Sequence, residues 1–189
     1  MYVATLIANS KNRNLSELIL KQVVNDLGGV KYKVLDDNIA IDISLVSEPS
    51  NFEIVWKQLQ KHQIDIVLQP IKNRRKNILL ADMDSTMIEQ ECIDELADEA
   101  GVGKRVAEIT KRAMNGELDF EDALIERVKL LKGLSSDIIV NVLKGRITLM
   151  PGAESLIKTM KRNGSYCALV SGGFTDFTEA ISKMLGFDE

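Results

Sequence analysis

Asp82 and Asp84 stand one residue apart in Asn77-Ile-Leu-Leu-Ala-Asp82-Met-Asp84-Ser-Thr86, directly after a short apolar run. A second apolar run, Tyr166 to Val170, delivers Ser171-Gly172-Gly173-Phe174. If both runs are neighbouring parallel strands, the Ser171 hydroxyl comes beside the Asp82 carboxylate. A hydroxyl next to small residues, whose backbone N–H groups can approach an anion and which lead into a helix, makes a cradle for phosphate. The chemistry implied is therefore a reaction on a phosphate group held against carboxylates. Each segment taken alone has a plainer reading: Asp-x-Asp-Ser as a turn that caps the next helix, and Ser-Gly-Gly as a tight turn with an N-cap.

The elements that must position these residues are predicted from the pattern. Ile78 to Ala81 is continuously apolar and bounded by polar residues, which predicts a strand buried on both faces of a parallel sheet. Ligands collect at the carboxyl ends of such strands. Between the two strands lie helical patterns at about Glu89 to Ala100, Lys104 to Asn115, Phe120 to Leu131 and Asp137 to Lys144. Pro151-Gly152 then opens a helix that runs to about Arg162 and is stopped by Asn163-Gly164. The result is a βαβ crossover with a helical cap inserted. Upstream, Tyr2 to Ala8, Lys31 to Leu35, Ile39 to Val46 and Ile64 to Leu68 read as strands, with helices over Leu15 to Leu27 and Asn51 to His62. This is the β-α-β-β-α-β order of the ferredoxin-like split unit. His62 reads as a surface histidine among Lys and Gln residues.

The 189 residues are 45% hydrophobic, enough for one medium domain or two small ones with real cores. A formal net charge of −4 gives no global positive field for nucleic acid or an anionic membrane, and the basic cluster Lys72-Asn-Arg-Arg-Lys76 reads as a solvated linker. Cys92 and Cys167 lack metal or redox spacing, which suggests free thiols in a reducing compartment, the cytoplasm. No apolar run reaches the length of a membrane span, and Met1 to Ser10 does not read as a secretory leader.

The Asp82-Met-Asp84-Ser-Thr86 segment, the inserted cap and Val170-Ser171-Gly-Gly-Phe174 together resemble the first two motifs of the haloacid dehalogenase-like phosphatases. With Glu91-Cys-Ile-Asp-Glu95 and Glu126-Arg127-Val-Lys-Leu-Leu-Lys132 they are similar, more narrowly, to the phosphoserine phosphatases. The resemblance runs from about Asn77 to the last residue. It implies that Asp82 attacks phosphorus and becomes an aspartyl phosphate, and that Asp84 serves as general acid and then general base. It also implies Mg²⁺, bound by the Asp82 side chain and the Asp84 backbone carbonyl, with Ser171 and the Gly172 amide on the phosphoryl oxygens. Glu91 would meet the substrate ammonium and Arg127 its carboxylate, with Met114 and Phe120 lining the pocket. Without the flanking motifs, Glu91 and Arg127 read as solvated helix charges and Met114 and Phe120 as core packing. Glu89 is the rival of Glu91.

The expected fold is α/β: an N-terminal ferredoxin-like α+β domain over 1–71, a linker over 72–76, and a Rossmann-like haloacid dehalogenase core over 77–87 and 149–189 with its helical cap over 88–148. The first domain also resembles the amino-acid-binding regulatory domains of the ACT type, although Asn9 to Asn14 lacks the glycine those domains often carry. That resemblance implies serine as a regulatory ligand. The family's later motifs, a lysine and a Gly-Asp-Gly-x-Asn-Asp segment, are absent after Phe174, and Lys183 lies too close to Ser171 to be assigned the lysine's role. The core is therefore expected to be partial, the chain truncated, and its activity impaired. The leading expectation is hydrolysis of O-phospho-L-serine, the last step of serine biosynthesis. The alternatives are a phosphatase or phosphotransferase for another small metabolite, or a non-catalytic amino-acid-binding regulatory module.

Overall fold

A computed structural model describes residues 1–189. The chain divides into two compact units, Met1–Arg75 and Lys76–Glu189.

The first unit contains β1 (Tyr2–Ala8), α1 (Glu17–Leu27), β2 (Lys31–Asp36), β3 (Ala40–Leu45), α2 (Phe52–Gln60) and β4 (Ile64–Pro70). Its sheet has the order β2-β3-β1-β4, and every pairing is antiparallel. Alternation along the strands sends Ala4, Leu6, Ile41, Ile43, Ile64 and Ile66 into a core with Leu20 and Val23 of α1 and Val55 and Leu59 of α2. Helix α1 starts two residues later than the apolar pattern implies, because the Ser16 hydroxyl accepts a hydrogen bond from the Ile19 N–H and caps the helix there. Gly28, in the left-handed conformation at φ 68°, ends it.

The expectation of a wholly solvated basic cluster fails at Arg74. Its guanidinium grips Asp42 on β3 through two bonds of 2.6 and 2.8 Å and donates at 2.9 Å to the Thr5 hydroxyl on β1. Thr5 in turn donates to Asp42 at 2.7 Å. Thr5 and Asp42 are register partners whose side chains alternate with the core-facing residues, so the arginine lies over the sheet face opposite the helices.

The second unit contains β5 (Ile78–Ala81), then α3 (Cys92–Glu99), α4 (Gly103–Met114), α5 (Phe120–Leu130), α6 (Asp137–Gly145), α7 (Ala153–Arg162), β6 (Tyr166–Leu169) and α8 (Thr175–Leu185). Strands β5 and β6 pair in parallel, with Ile78 opposite Tyr166 and Ala81 opposite Leu169. Ala81 and Cys167 meet Ile157 of α7 and Phe177 and Ile181 of α8 in a second core that also encloses Met83 and Ile88. No helix of the chain is long and apolar enough to cross a membrane.

Two expectations are corrected here. Strand β5 is not buried on both faces: Ala81 is covered, whereas Ile78 and Leu80 are 62% and 68% exposed. An apolar run reports that a strand can be covered on both sides, while the packing of α7 and α8 decides which side is. Helix α3 also begins at Cys92 rather than near Glu89. Residues 87–90 lie in a turn and bend held against 148–150 instead: Ile88 forms an isolated bridge with Leu149, Glu89 N–H donates to the Thr148 carbonyl and Met150 N–H to the Met87 carbonyl. This pairing outweighs the helix propensity of Glu89-Gln-Glu91.

Candidate active site

Asp82 leaves the carboxyl end of β5, and the chain turns at once. The Met83 carbonyl accepts hydrogen bonds from the N–H groups of Thr86, Met87 and Ile88, so Met83 is buried while Asp82 and Asp84 flank it. Ser85 takes up the left-handed backbone at φ 53° that closes this turn. The Thr86 hydroxyl donates to Asp82 Oδ2 at 3.2 Å, and the Ser85 hydroxyl to Glu91 Oε1 at 2.7 Å. From β6 the chain passes through Ser171-Gly172-Gly173 to the start of α8, and the Ser171 hydroxyl oxygen accepts the Gly173 N–H at 3.0 Å. A Cβ at Gly173 would stand 3.2 Å from Ser171 Oγ in its own loop and at ordinary contact distance, 3.4 and 3.8 Å, from Met83 Cε and Asp84 Oδ2 of the other.

These loops form one wall of a cavity of about 360 Å³. Asp82, Asp84, Ser171 and Gly172 line it from the strand ends, and Glu91, Phe120 and Arg127 from the helical segment. Seven of the eight residues singled out in the sequence thus share one cavity. Met114 does not. It is 84% exposed at the end of α4, a helix that buries Val106 and Ile109. Met114 follows Ile109 by five residues, about 140° round the helix, which turns it from the buried face. The rival Glu89 is also outside the cavity, because its carboxylate accepts the Thr148 hydroxyl at 2.6 Å. Cys92, Ile93, Leu124, Val128, Gly173 and Phe174 complete the lining. Leu124 and Val128 were not singled out, although with Phe120 and Arg127 they repeat at the spacing of one helix face.

Burial pushes the Asp84 carboxyl above the ordinary aspartate range, and the charges of Glu91 and Asp82 act in the same direction against bonds from Cys92. Asp84 Oδ1 is buried without a hydrogen-bond partner. Burial also raises Cys92, with Asp84 beside it, and keeps it a neutral thiol. Asp94 is raised by burial and by Glu91, while Arg127 opposes the shift. The cavity therefore holds one carboxyl of raised proton affinity, Asp84, two exposed carboxylates, Asp82 and Glu91, and a single guanidinium, Arg127, a set that can exchange a proton with a bound group.

The model of the haloacid dehalogenase-like hydrolases matches residues 79–189, which carry both strand-end loops and the helices between them. The chain belongs to this family. Among similar haloacid dehalogenase-like proteins, the phosphoserine phosphatase of Archaeoglobus fulgidus is 46% identical over 134 residues, covering 70% of this chain and 39% of that protein. The phosphoserine phosphatase of Saccharomyces cerevisiae is 32% identical over 99% of this chain and 65% of its own length. The crystal structure of a haloacid dehalogenase family hydrolase from Salmonella enterica superposes with a TM-score of 0.80 at 26% identity, over 99% of this chain and 65% of that one. The chain thus spans less than two thirds of the length of each of these relatives.

No group of three or more His, Cys, Asp or Glu side chains could hold a metal ion. The oxygen donors present are those Mg²⁺ accepts, since this ion is commonly bound by one or two carboxylates and keeps several waters. Asp82 Oδ2 takes only the 3.2 Å bond from Thr86, which leaves the carboxylate with free acceptor capacity.

Proposed function

We propose that the chain carries the active site of a phosphomonoesterase that hydrolyses O-phospho-L-serine to L-serine and phosphate, the last step of serine biosynthesis. One observation carries this reading: a single cavity is lined by paired aspartates, a Ser-Gly-Gly loop, one further carboxylate and one arginine. Phosphoserine presents a phosphate, an ammonium and a carboxylate, and these groups match the three kinds of lining in turn. The similarity to two phosphoserine phosphatases supports it.

In the first step the Asp82 carboxylate attacks phosphorus, forming an aspartyl phosphate as the bond to the serine oxygen breaks. The Asp84 carboxyl gives its proton to the leaving oxygen. Its raised proton affinity suits it to hold that proton beforehand. In the second step the Asp84 carboxylate takes a proton from water as the water attacks the aspartyl phosphate, releasing phosphate and restoring both groups. Ser171, whose oxygen already accepts the Gly173 N–H, still has its O–H to donate to a phosphoryl oxygen, and the Gly172 N–H is a second donor. Glu91 binds the ammonium and Arg127 the carboxylate. Phe120 excludes water, and Met114 joins it only if α4 rotates its end toward the cavity. Mg²⁺, held by the Asp82 side chain and the Asp84 carbonyl, would neutralise phosphoryl charge.

In this reading residues 77–87 and 149–189 form the catalytic core and 88–148 its cap, with 72–76 as linker. Residues 1–71 act as an ACT-like regulatory domain that binds an amino acid, serine first. The β-α-β-β-α-β order and the β2-β3-β1-β4 sheet support that assignment. Two free cysteines suit a cytoplasmic enzyme.

Phosphate release from L-phosphoserine with added Mg²⁺ tests the central reading. Saturable release is expected, faster than from a phosphate ester lacking the ammonium. Equal rates with both esters would favour a phosphatase for another metabolite. Calorimetry of residues 1–75 with L-serine tests the regulatory reading, and the absence of heat would remove it.

A further inference from the structure

We propose that Ser85 is a positioning residue for Glu91, and that it sets the selectivity of this site for phosphate esters that carry an amine. The inference rests on the phosphoserine reading and adds to it the group that aims the ammonium-binding carboxylate.

Ser85 lies between Asp84 and Thr86 with φ at 53°, a backbone region that a residue bearing a side chain adopts at a cost of about 1 kcal/mol or more. A glycine would adopt it freely. What serine adds at this position is a hydroxyl, and that hydroxyl donates to Glu91 Oε1 at 2.7 Å. The Ser85 N–H donates to the neighbouring Gln90 carbonyl at 3.1 Å. Both donors of the residue are thus committed to the two residues just before α3.

Glu91 occupies the N-cap position of α3, yet its side chain makes no capping hydrogen bond. Ser16 and Asp119, at the N-caps of α1 and α5, both do. A carboxylate at an N-cap has a competing place to go, over the free N–H groups and positive end of its own helix. The charge-assisted bond from Ser85 counters that alternative and leaves the second Glu91 oxygen available to a ligand in the cavity it lines. Because Ser85 follows Asp84 directly, the bond also sets the spacing between the proton-transfer group and the ammonium subsite.

The test compares the unmodified chain with Ser85→Gly and Ser85→Ala, using L-phosphoserine and the amine-free ester 3-phosphooxypropanoate. Glycine removes the hydroxyl and relieves the backbone, whereas alanine removes only the hydroxyl. Both variants should raise KM for phosphoserine about tenfold, the scale of one lost hydrogen bond to a charged group at a partly exposed site. Their kcat should change by less than about threefold, and turnover of the amine-free ester should be unaltered, because uniform binding rather than chemistry is lost. Ser85→Asn, which tolerates the left-handed backbone and keeps a donor, should recover part of the loss. Equal losses on both esters, or a loss in the alanine variant alone, would overturn the proposal. If the unmodified chain turns over neither ester, it is an incomplete catalyst, as the expected partial core implies, and the kinetic comparison gives way to structure. A crystal structure of Ser85→Gly then decides the positioning role: a Glu91 carboxylate displaced by about 1 Å or more supports it, and an unmoved one overturns it.

Discussion

Asp42 and Asp84 are both half-buried aspartates, one on a strand of the first unit and one just past a strand of the second, and their surroundings move their proton affinities in opposite directions. Asp42 is desolvated too, but the hydrogen bonds and charge of Arg74, with help from Thr5, outweigh burial and hold its carboxyl below the ordinary range. Asp84 has no cation bonded to it. Burial raises it, two neighbouring carboxylates raise it further, and one of its oxygens has no partner. A carboxylate matched by a guanidinium is fixed as an anion and joins elements together. One left among other carboxylates stays poised to exchange a proton, which is the property a hydrolase requires. The contrast supports the proposal that the second unit carries the chemistry.

The contrast breaks most sharply if the chemistry is not where it points. Asp82→Asn should lower phosphate release from phosphoserine by at least about a thousandfold, since it removes the attacking carboxylate. The variant's melting temperature should change little, because Asp82 is exposed and accepts only one long side-chain bond. Retained turnover would move the nucleophile elsewhere. Arg127→Ala comes next. Loss of a guanidinium able to grip a carboxylate with two bonds should raise KM for phosphoserine about 30- to 100-fold. Lysine at that position should not restore it, because an ammonium lacks the planar fork.

The parts of the molecule that were legible in the sequence are those governed by local pattern. The two strands, their polar ends and the crossover between them follow from apolar runs punctuated by Asp, Ser and Gly, and seven of the eight candidate residues line one cavity. What local pattern misses depends on partners distant in sequence. Glu89-Gln-Glu91 has helical composition, yet Met87, Ile88 and Glu89 are held to 148–150 by one bridge and two backbone hydrogen bonds. Ile78 and Leu80 read as buried because nothing in a four-residue strand tells which face a helix will cover. Arg74 looks like one charge in a solvated run, and its partner Asp42 lies 32 residues earlier. Met114 sits in a helix whose buried stripe ends at Ile109, so its orientation depends on where that stripe stops.

Smaller effects should sharpen the other half of the comparison. Arg74→Ala should destabilise the first unit by about 1–2 kcal/mol, since the pair is only partly buried and the serving bonds are charge-assisted. The change should appear in the unfolding of the first unit, and the same variant should leave the KM for phosphoserine within about twofold.

The smallest effect concerns acid, and its sign distinguishes the two aspartates. Asp42 has a lower pKa folded than unfolded, so between those two values the unfolded chain binds more protons than the folded one. Its contribution to stability is therefore complete above the unfolded value of about 3.9 and is lost as the pH falls toward and through the folded value. A shift in the opposite direction, as at Asp84, makes the carboxylate a cost at neutral pH that protonation relieves. Acid unfolding of the first unit, followed by amide exchange of β1 and β3, should set in at higher pH in Asp42→Asn than in the unmodified chain only if other carboxylates dominate. With Asp42 as a principal acid-sensitive group, the substituted chain should start from lower stability at pH 7 and lose less between pH 5 and pH 3, because asparagine has no proton to gain. An unchanged slope over that interval would mean that the Arg74 clamp, although formed in the folded chain, persists when the chain unfolds, and the distinction between the two aspartates would then rest on geometry alone.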